Sequence, residues 1–283
     1  MNEFETCDVP VTVFPNLSPE EYRNFDAVSR SDLLLIERSP AYYQFRKNQP
    51  EKVTDALRIG TAVHSRILTP ESFSSYYFAA PEIPPRTTKA GREAWEAIVG
   101  LACGREILTA DESEIVEGIA ASIQADPLAS VLLTHGHAER SIIWADKITG
   151  EECKARPDYI RFTDEAVIVT DLKTTRDAST EGFQREAFNL GYPLQAHMYS
   201  EAVRIAYGKP VKFYFVAVEK DPPYSVNVFS VDDVFVRYGE ERFRELIGIY
   251  HECKTSGNWY GYKGFSGLVQ PLTLPAYVLK NYL

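Results

Sequence analysis

Asp158, Asp171 and Lys173 are the side chains whose types and spacing best suit chemistry, with thirteen residues from the first aspartate to the second and two more to the lysine. Asp171 and Lys173 follow the run Ala166-Val167-Ile168-Val169-Thr170, which reads as a strand buried on both faces. Alternation along a strand puts Asp171 and Lys173 on one face and Leu172 on the other. Charged groups at the end of a central strand are costly unless they are paired or bind something. A hairpin centred between Asp164 and Glu165 sets Asp158 opposite Asp171. An earlier hairpin, centred between Ile148 and Thr149, sets Glu139 opposite Asp158. Like charges at a cross-strand spacing of ~4.5–5.5 Å destabilise a sheet. A divalent cation relieves them, and a few hard oxygen ligands suit Mg²⁺ or Mn²⁺. A register slip of one residue turns a side chain to the other face. The carboxylates would then be surface charges paired with Arg156 and Lys173.

The elements that must position these groups follow from pattern and punctuation. Ser31 is expected to cap a helix over 32–37, stopped at Ser39-Pro40, and a second helix spans 55–68, stopped at Thr69-Pro70. A proline-rich loop, 81–91, carries Arg86 and Lys89, with Arg92 just beyond, as candidate phosphate contacts. Helices are expected over 92–102 and 111–125, the second with Ile115, Ile119 and Ile123 on one stripe. Three strands follow, 139–145, 152–162 and 166–173, separated by Thr149-Gly150 and Thr163-Asp164-Glu165. A helical stretch over 180–207, interrupted near Gly191-Tyr192-Pro193, leads to strands at 211–218 and 224–231 and a helix over 233–254. The expected division is an arm over 1–27 and a single domain over 28–283. Within that domain lie a helical part (28–135), an α/β core (136–256) and a tail (257–283).

Composition excludes several classes. The chain of 283 residues is 45% apolar and 25% charged, ordinary for a globular protein. No apolar run approaches the ~20 residues of a membrane span. The start, Met1 to Pro10, has neither a basic nor an apolar stretch, so a soluble cytoplasmic protein with no membrane partner is expected. A net charge of −10 argues against coating nucleic acid by bulk charge, while leaving room for a local basic path. Cys7, Cys103, Cys153 and Cys253 are far apart and show no zinc or redox spacing. His135 and His137 flank Gly136 and read as a polar turn in preference to a chelate. There is no GxSxG, GxxxxGK[ST] or HExxH motif.

Pro157-Asp158 followed by Asp171-Leu172-Lys173 resembles the signature of the PD-(D/E)XK nuclease superfamily. The element order resembles its restriction-endonuclease-like α/β core (αβββαβ, a mixed sheet flanked by helices), here with extra N-terminal helices. Gly60 to His64 resembles the GxxxH motif of the RecB-type branch, and Gln195 to Tyr199 its QxxxY motif. Ser29 to Leu34, Ser39 to Tyr43, Thr88 to Arg92 and Leu274 to Tyr277 resemble segments of the exodeoxyribonuclease VIII (RecE-like) nuclease domain of phage and prophage recombination systems.

The resemblance implies that Asp158, Asp171, the Leu172 backbone carbonyl and His64 hold Mg²⁺ or Mn²⁺. Glu139 would join them, or else form a surface pair with Arg140. Lys173 would act on the attacking water and the phosphate, while Gln195 and Tyr199 would bind the DNA backbone or support the site. Arg86, Lys89 and Arg92 match the basic loop. No iron–sulfur cluster is expected. The implied activity is degradation of linear duplex DNA from an end, 5′ to 3′, giving single-stranded tails for recombination. A homo-oligomeric ring (trimer or tetramer), a single-strand annealing partner and a bacterial host cell, with a phage-encoded gene, are implied as well. The alternatives are a structure-specific or guide-associated endonuclease of the same fold, and a non-catalytic DNA-binding accessory protein on that scaffold.

Overall fold

A computed structural model describes residues 9–47, 49, 54–262, 269 and 271–279. The chain begins with β1 (Val11–Phe14), α1 (Pro19–Asn24), α2 (Arg30–Arg38), α3 (Pro40–Lys47), α4 (Asp55–Leu68), α5 (Pro70–Tyr76) and β2 (Tyr77–Ala79). It continues through α6 (Lys89–Ala102), β3 (Glu106–Leu108), α7 (Ala110–Ala125) and α8 (Pro127–Leu132). The core elements are β4 (His137–Ala138), β5 (Ser141–Ala145), β6 (Glu152–Ala155), β7 (Tyr159–Phe162) and β8 (Val167–Thr175). They are completed by α9 (Thr180–Asn189), α10 (Tyr192–Tyr207), β9 (Val211–Glu219), β10 (Val226–Ser230) and α11 (Asp233–Ser256), and α12 (Ala276–Leu279) ends the described chain.

Side-chain caps set most of these boundaries. Ser29, not Ser31, opens α2, because Ser29 and Asp32 form a reciprocal capping box. Thr88 accepts from the Gly91 amide and starts α6 a turn earlier than its apolar pattern suggests. Gly191, at φ +67°, supplies the left-handed turn between α9 and α10. The expected N-terminal arm is corrected in part: β1 pairs antiparallel with β5, and α1 carries a capping box of Ser18 and Glu21. Residues 1–8 of that arm, and 263–268 and 280–283 of the tail, lie outside the described residues, as does the Tyr277 side chain.

The central sheet is mixed, in the order β10-β9-β8-β7-β4. β7 and β8 form an antiparallel hairpin, whereas β8 and β9 run parallel, joined by the α9–α10 crossover that a parallel pair requires. A second sheet, β1-β5-β6, and a parallel pair, β2-β3, stand apart from it. Of the three expected meander strands, the third forms as β8, the first starts late, at Ser141, and the second is corrected. It breaks at Arg156-Pro157-Asp158, and its halves, β6 and β7, join different sheets, at the level where Glu139-Arg140 separates β4 from β5. Pro157 has no N–H to give a ladder. The register nevertheless holds on both sides of the break, with Ile142 opposite Ala155 and His137 opposite Ile160.

Alternation along β8 divides the core in two. Val167 and Val169 pack with Phe183, Leu194, Met198 and Phe243, whereas Ile168 and Leu172 pack with Val63, Val116 and Ile119. Helices α9, α10 and α11 thus cover one face, and α4 and α7 the other. Asp171 falls on the α10 face.

Candidate active site

The β7–β8 ladder pairs Tyr159 with Thr170 and then stops. One residue further, the same register sets Asp158 against Asp171, as the hairpin arithmetic anticipates. Beyond the last ladder pair the Leu172 amide donates to a side chain, Asp158 Oδ2, at 2.7 Å. The Asp158 carbonyl in turn accepts from the Glu139 amide at 3.0 Å. Asp171 is fully buried. Its Oδ2 accepts from Gln195 Nε2 at 2.5 Å, and its Oδ1 is ion-paired with Lys173. Burial first, and then the charge of Asp171, push the Asp158 carboxyl well above its ordinary value. Two carboxylates have been brought into one desolvated place.

The surrounding side chains come from several elements. His64, from α4, brings Nδ1 to 3.6 Å from Asp158 Oδ2. Burial, followed by the Lys173 charge, holds its pKa below the ordinary value, which keeps the imidazole neutral. Gln195 and Tyr199 stand on one face of α10 with Tyr192, whose ring centroid is 4.9 Å from Lys173 Nζ. Desolvation pushes the Tyr199 hydroxyl well above its ordinary value, and the Tyr22 hydroxyl adds to the rise. Tyr192 was missed in the sequence, although its place three residues before Gln195 could have marked it. Arg30, from α2, places Cζ 5.7 Å from the Tyr192 ring centroid, an approach that no sequence signal announces.

Glu139 departs from expectation. Its backbone is left-handed, at φ +51°, and its carboxylate meets Arg156 Nη2 at 3.0 Å. Its charge still raises the Asp158 pKa. Among the described residues no three His, Cys, Asp or Glu side chains are gathered in a geometry that could hold a metal ion. The expected ligand set is not assembled, because Arg156 holds Glu139 while Lys173 and Gln195 hold Asp171. The donor chemistry nonetheless fits a divalent cation, with one buried and one half-buried carboxylate, a neutral imidazole and a backbone carbonyl at one strand end.

Arg86, Lys89 and Arg92 sit together on the loop before α6 and on its first turn. Arg86 Cζ lies 3.3 Å from the Trp95 ring centroid, Lys89 meets Glu93 at 3.7 Å, and Arg92 Nη1 donates to the Thr87 carbonyl at 2.9 Å. No hydrogen bond or ion pair among the described residues ties this group to the acid pair. A cavity of about 990 Å³ is lined by Arg66, Leu68, His135, His137 and Tyr159, not by the acids. Another, about 600 Å³, touches the site through Tyr199. Cys103, Cys153 and Cys253 are free thiols, and no helix among the described residues is long and apolar enough to cross a membrane.

A solved structure from Eubacterium rectale, described as a "putative exonuclease", is similar with a TM-score of 0.60 at 15% identity, covering 95% of this chain and 99% of that one. That likeness is one of fold. A second solved structure, of a protein named SSO0001, covers 66% of this chain and 86% of its own at 16% identity, and its TM-score of 0.29 carries no argument. Among curated proteins no match is found. The model of a PDDEXK-like domain of unknown function, DUF3799, matches residues 29–268. That span holds α4, the β7–β8 hairpin and α10 entire, and the chain belongs to the DUF3799 family of PDDEXK-like domains.

Proposed function

We propose that this protein is a metal-dependent deoxyribonuclease that hydrolyses linear double-stranded DNA from an end, 5′ to 3′, with Mg²⁺ as its ion and Mn²⁺ as a substitute. The observation that carries the reading is the acid pair itself, Asp158 against Asp171 at a ladder end, with Lys173 on the Asp171 face. PDDEXK nucleases generally use divalent metal ions, and the Eubacterium rectale protein of similar fold is described as a "putative exonuclease".

Asp158, Asp171, His64 and the Leu172 carbonyl would hold the metal. A bound divalent ion lowers the pKa of a coordinated water and offsets charge on the phosphate. Gln195 fixes one oxygen of Asp171, and the Leu172 amide fixes one oxygen of Asp158, so neither carboxylate has to be ordered when DNA arrives. Lys173 carries the ammonium paired with Asp171, and its place there suits it to orient the attacking water and to stabilise the charged phosphorane. Tyr192 limits the positions that ammonium can take. Tyr199, at the edge of the 600 Å³ cavity, supports the backbone of the strand being cut. A ring of three or four chains and a single-strand annealing partner belong to the same reading, and sedimentation of the purified protein tests the ring.

The experiment compares linear with covalently closed duplex, with Mg²⁺, Mn²⁺ or EDTA. Loss of the linear substrate alone, abolished by EDTA, is the expected result. Cutting of closed circles points to an endonuclease of the same fold, and inertness towards every DNA with both ions removes the enzyme.

A further inference from the structure

The family match begins at residue 29, so β1 and α1 lie before it. A helix of six residues is far too short to be stable alone, yet α1 is tied down unusually well. Lys154, on β6, is only 5% exposed. Its Nζ donates to the carbonyls of Tyr22 at 3.0 Å, Arg23 at 3.0 Å and Phe25 at 2.7 Å. These carbonyls lie at the end of α1, where a helix leaves its acceptors unpaired and its dipole favours a cation. No carboxylate forms an ion pair with Lys154 among the described residues. A buried ammonium satisfied only by neutral oxygens is costly, and here it serves to seat α1.

The seated helix presents Tyr22. The Tyr22 ring centroid is 5.2 Å from Lys154 Nζ and 5.6 Å from Arg156 Cζ. From that ring Arg156 reaches the Glu139 carboxylate at 3.0 Å. The Glu139 amide holds the Asp158 carbonyl, and Asp158 is two residues beyond Arg156. One chain of contacts therefore runs from α1 to the break at Pro157. We propose that Tyr22 and Lys154 are positioning residues, through which the N-terminal helix fixes Arg156 and so aims Asp158 at Asp171. This rests on the nuclease reading above.

The test uses the full chain with Tyr22→Phe, Tyr22→Ala and Lys154→Met. For each, the melting temperature is followed as Mn²⁺ is added, and kcat and KM are measured on linear duplex. Outer-shell partners of metal ligands typically contribute about 10–100-fold in metal affinity or activity. The metal-free proteins should remain folded. Tyr22→Ala and Lys154→Met should need about tenfold more Mn²⁺ for half the melting shift, and their kcat should fall by about tenfold or more while KM stays within about twofold. Tyr22→Phe keeps the ring and should keep the wild-type Mn²⁺ titration. A Tyr22→Ala protein with the wild-type Mn²⁺ titration overturns the proposal. So does a Tyr22→Phe protein as damaged as Tyr22→Ala, and this comparison stands even where Lys154→Met fails to fold. A wild type that neither shifts its melt with Mn²⁺ nor cleaves DNA overturns the nuclease reading, and the positioning role with it.

Discussion

At the residue scale the two acids are not equivalent. Asp171 has two partners, Lys173 and Gln195, whereas Asp158 relies on one backbone amide and carries a pKa pushed upward. Its charged form is thus the less comfortable one in the folded, metal-free protein. Asp158→Asn removes that charge and keeps an oxygen for the Leu172 amide, so its metal-free melting temperature should equal or exceed that of the wild type. Stabilisation by a ligand follows RT ln(1 + [L]/Kd), so Mn²⁺ should raise the wild-type melt and hardly move that of Asp158→Asn, with cleavage lost. Equal metal shifts in the two would remove Asp158 from the ion. Lys173→Ala separates the roles. It should keep the metal shift and lose hydrolysis, because the role proposed for Lys173 is on water and phosphate; a protein that still cleaves at the wild-type rate would show another group in that role.

At the scale of elements, the β5–β6 hairpin is held to α11 by buried acids. Asp146 meets Arg244 at 2.6 Å, and Glu151 meets His251 at 2.9 Å and Lys254 at 2.6 Å. Burial pushes both carboxyls up, but the hydrogen bonds and charges of Arg244 and Thr149, or of Lys254 and His251, outweigh it and leave both below their ordinary values of 3.8 and 4.5. Depressed acids contribute stability that is present above those values and lost as pH falls through and below them. Urea midpoints should therefore drop steeply below about pH 4.5. Arg244→Met strands the nearly buried Asp146 charge and should cost about 3 kcal/mol at pH 7 but less at pH 3; a pH-independent cost would assign the loss to packing. Gly239 marks where α11 crosses α10, for a Cβ there meets the Pro193 carbonyl. Gly239→Ala should cost about 1–3 kcal/mol, read in the same melts. Elements of this kind were unequally legible. The apolar run of β8 and the turn residues around Asp164 and Thr149 were enough to set both hairpin registers, because alternation leaves few choices where a face is buried. The break at Pro157 and the exchange of strands between sheets were not legible, since the partner of β5 is β1, far earlier in the chain and only four residues long. The hairpin registers were enough to bring Asp158, Asp171 and Lys173 to one strand end, whereas His64 and Gln195 were legible only through their resemblance to the GxxxH and QxxxY motifs. The role of Arg156 as the holder of Glu139 needed coordinates, because nothing in local spacing announces it.

At the scale of the molecule, a net charge of −10 sets the terms on which the proposed substrate, DNA, can approach. Arg86, Lys89 and Arg92 form the basic cluster proposed as that path. Replacing all three with Ala should lower the slope of log binding constant against log salt by about one for each phosphate that is no longer neutralised; an unchanged slope would route the DNA elsewhere. The position of β8 has a consequence of a different kind, measured in time. This strand is bonded to β9 along its whole length and to β7 as far as Thr170, with both halves of the core packed against it. Backbone protons so placed exchange with solvent only when the global structure opens, whereas short terminal helices and loops exchange through local opening at little cost. Deuterium should therefore enter the loop before α6 early, and reach the amides of Val169 to Asp171 last. On warming, the seat of Asp158, held by one amide beyond the ladder end, should loosen while Asp171 is still locked in the most enclosed strand.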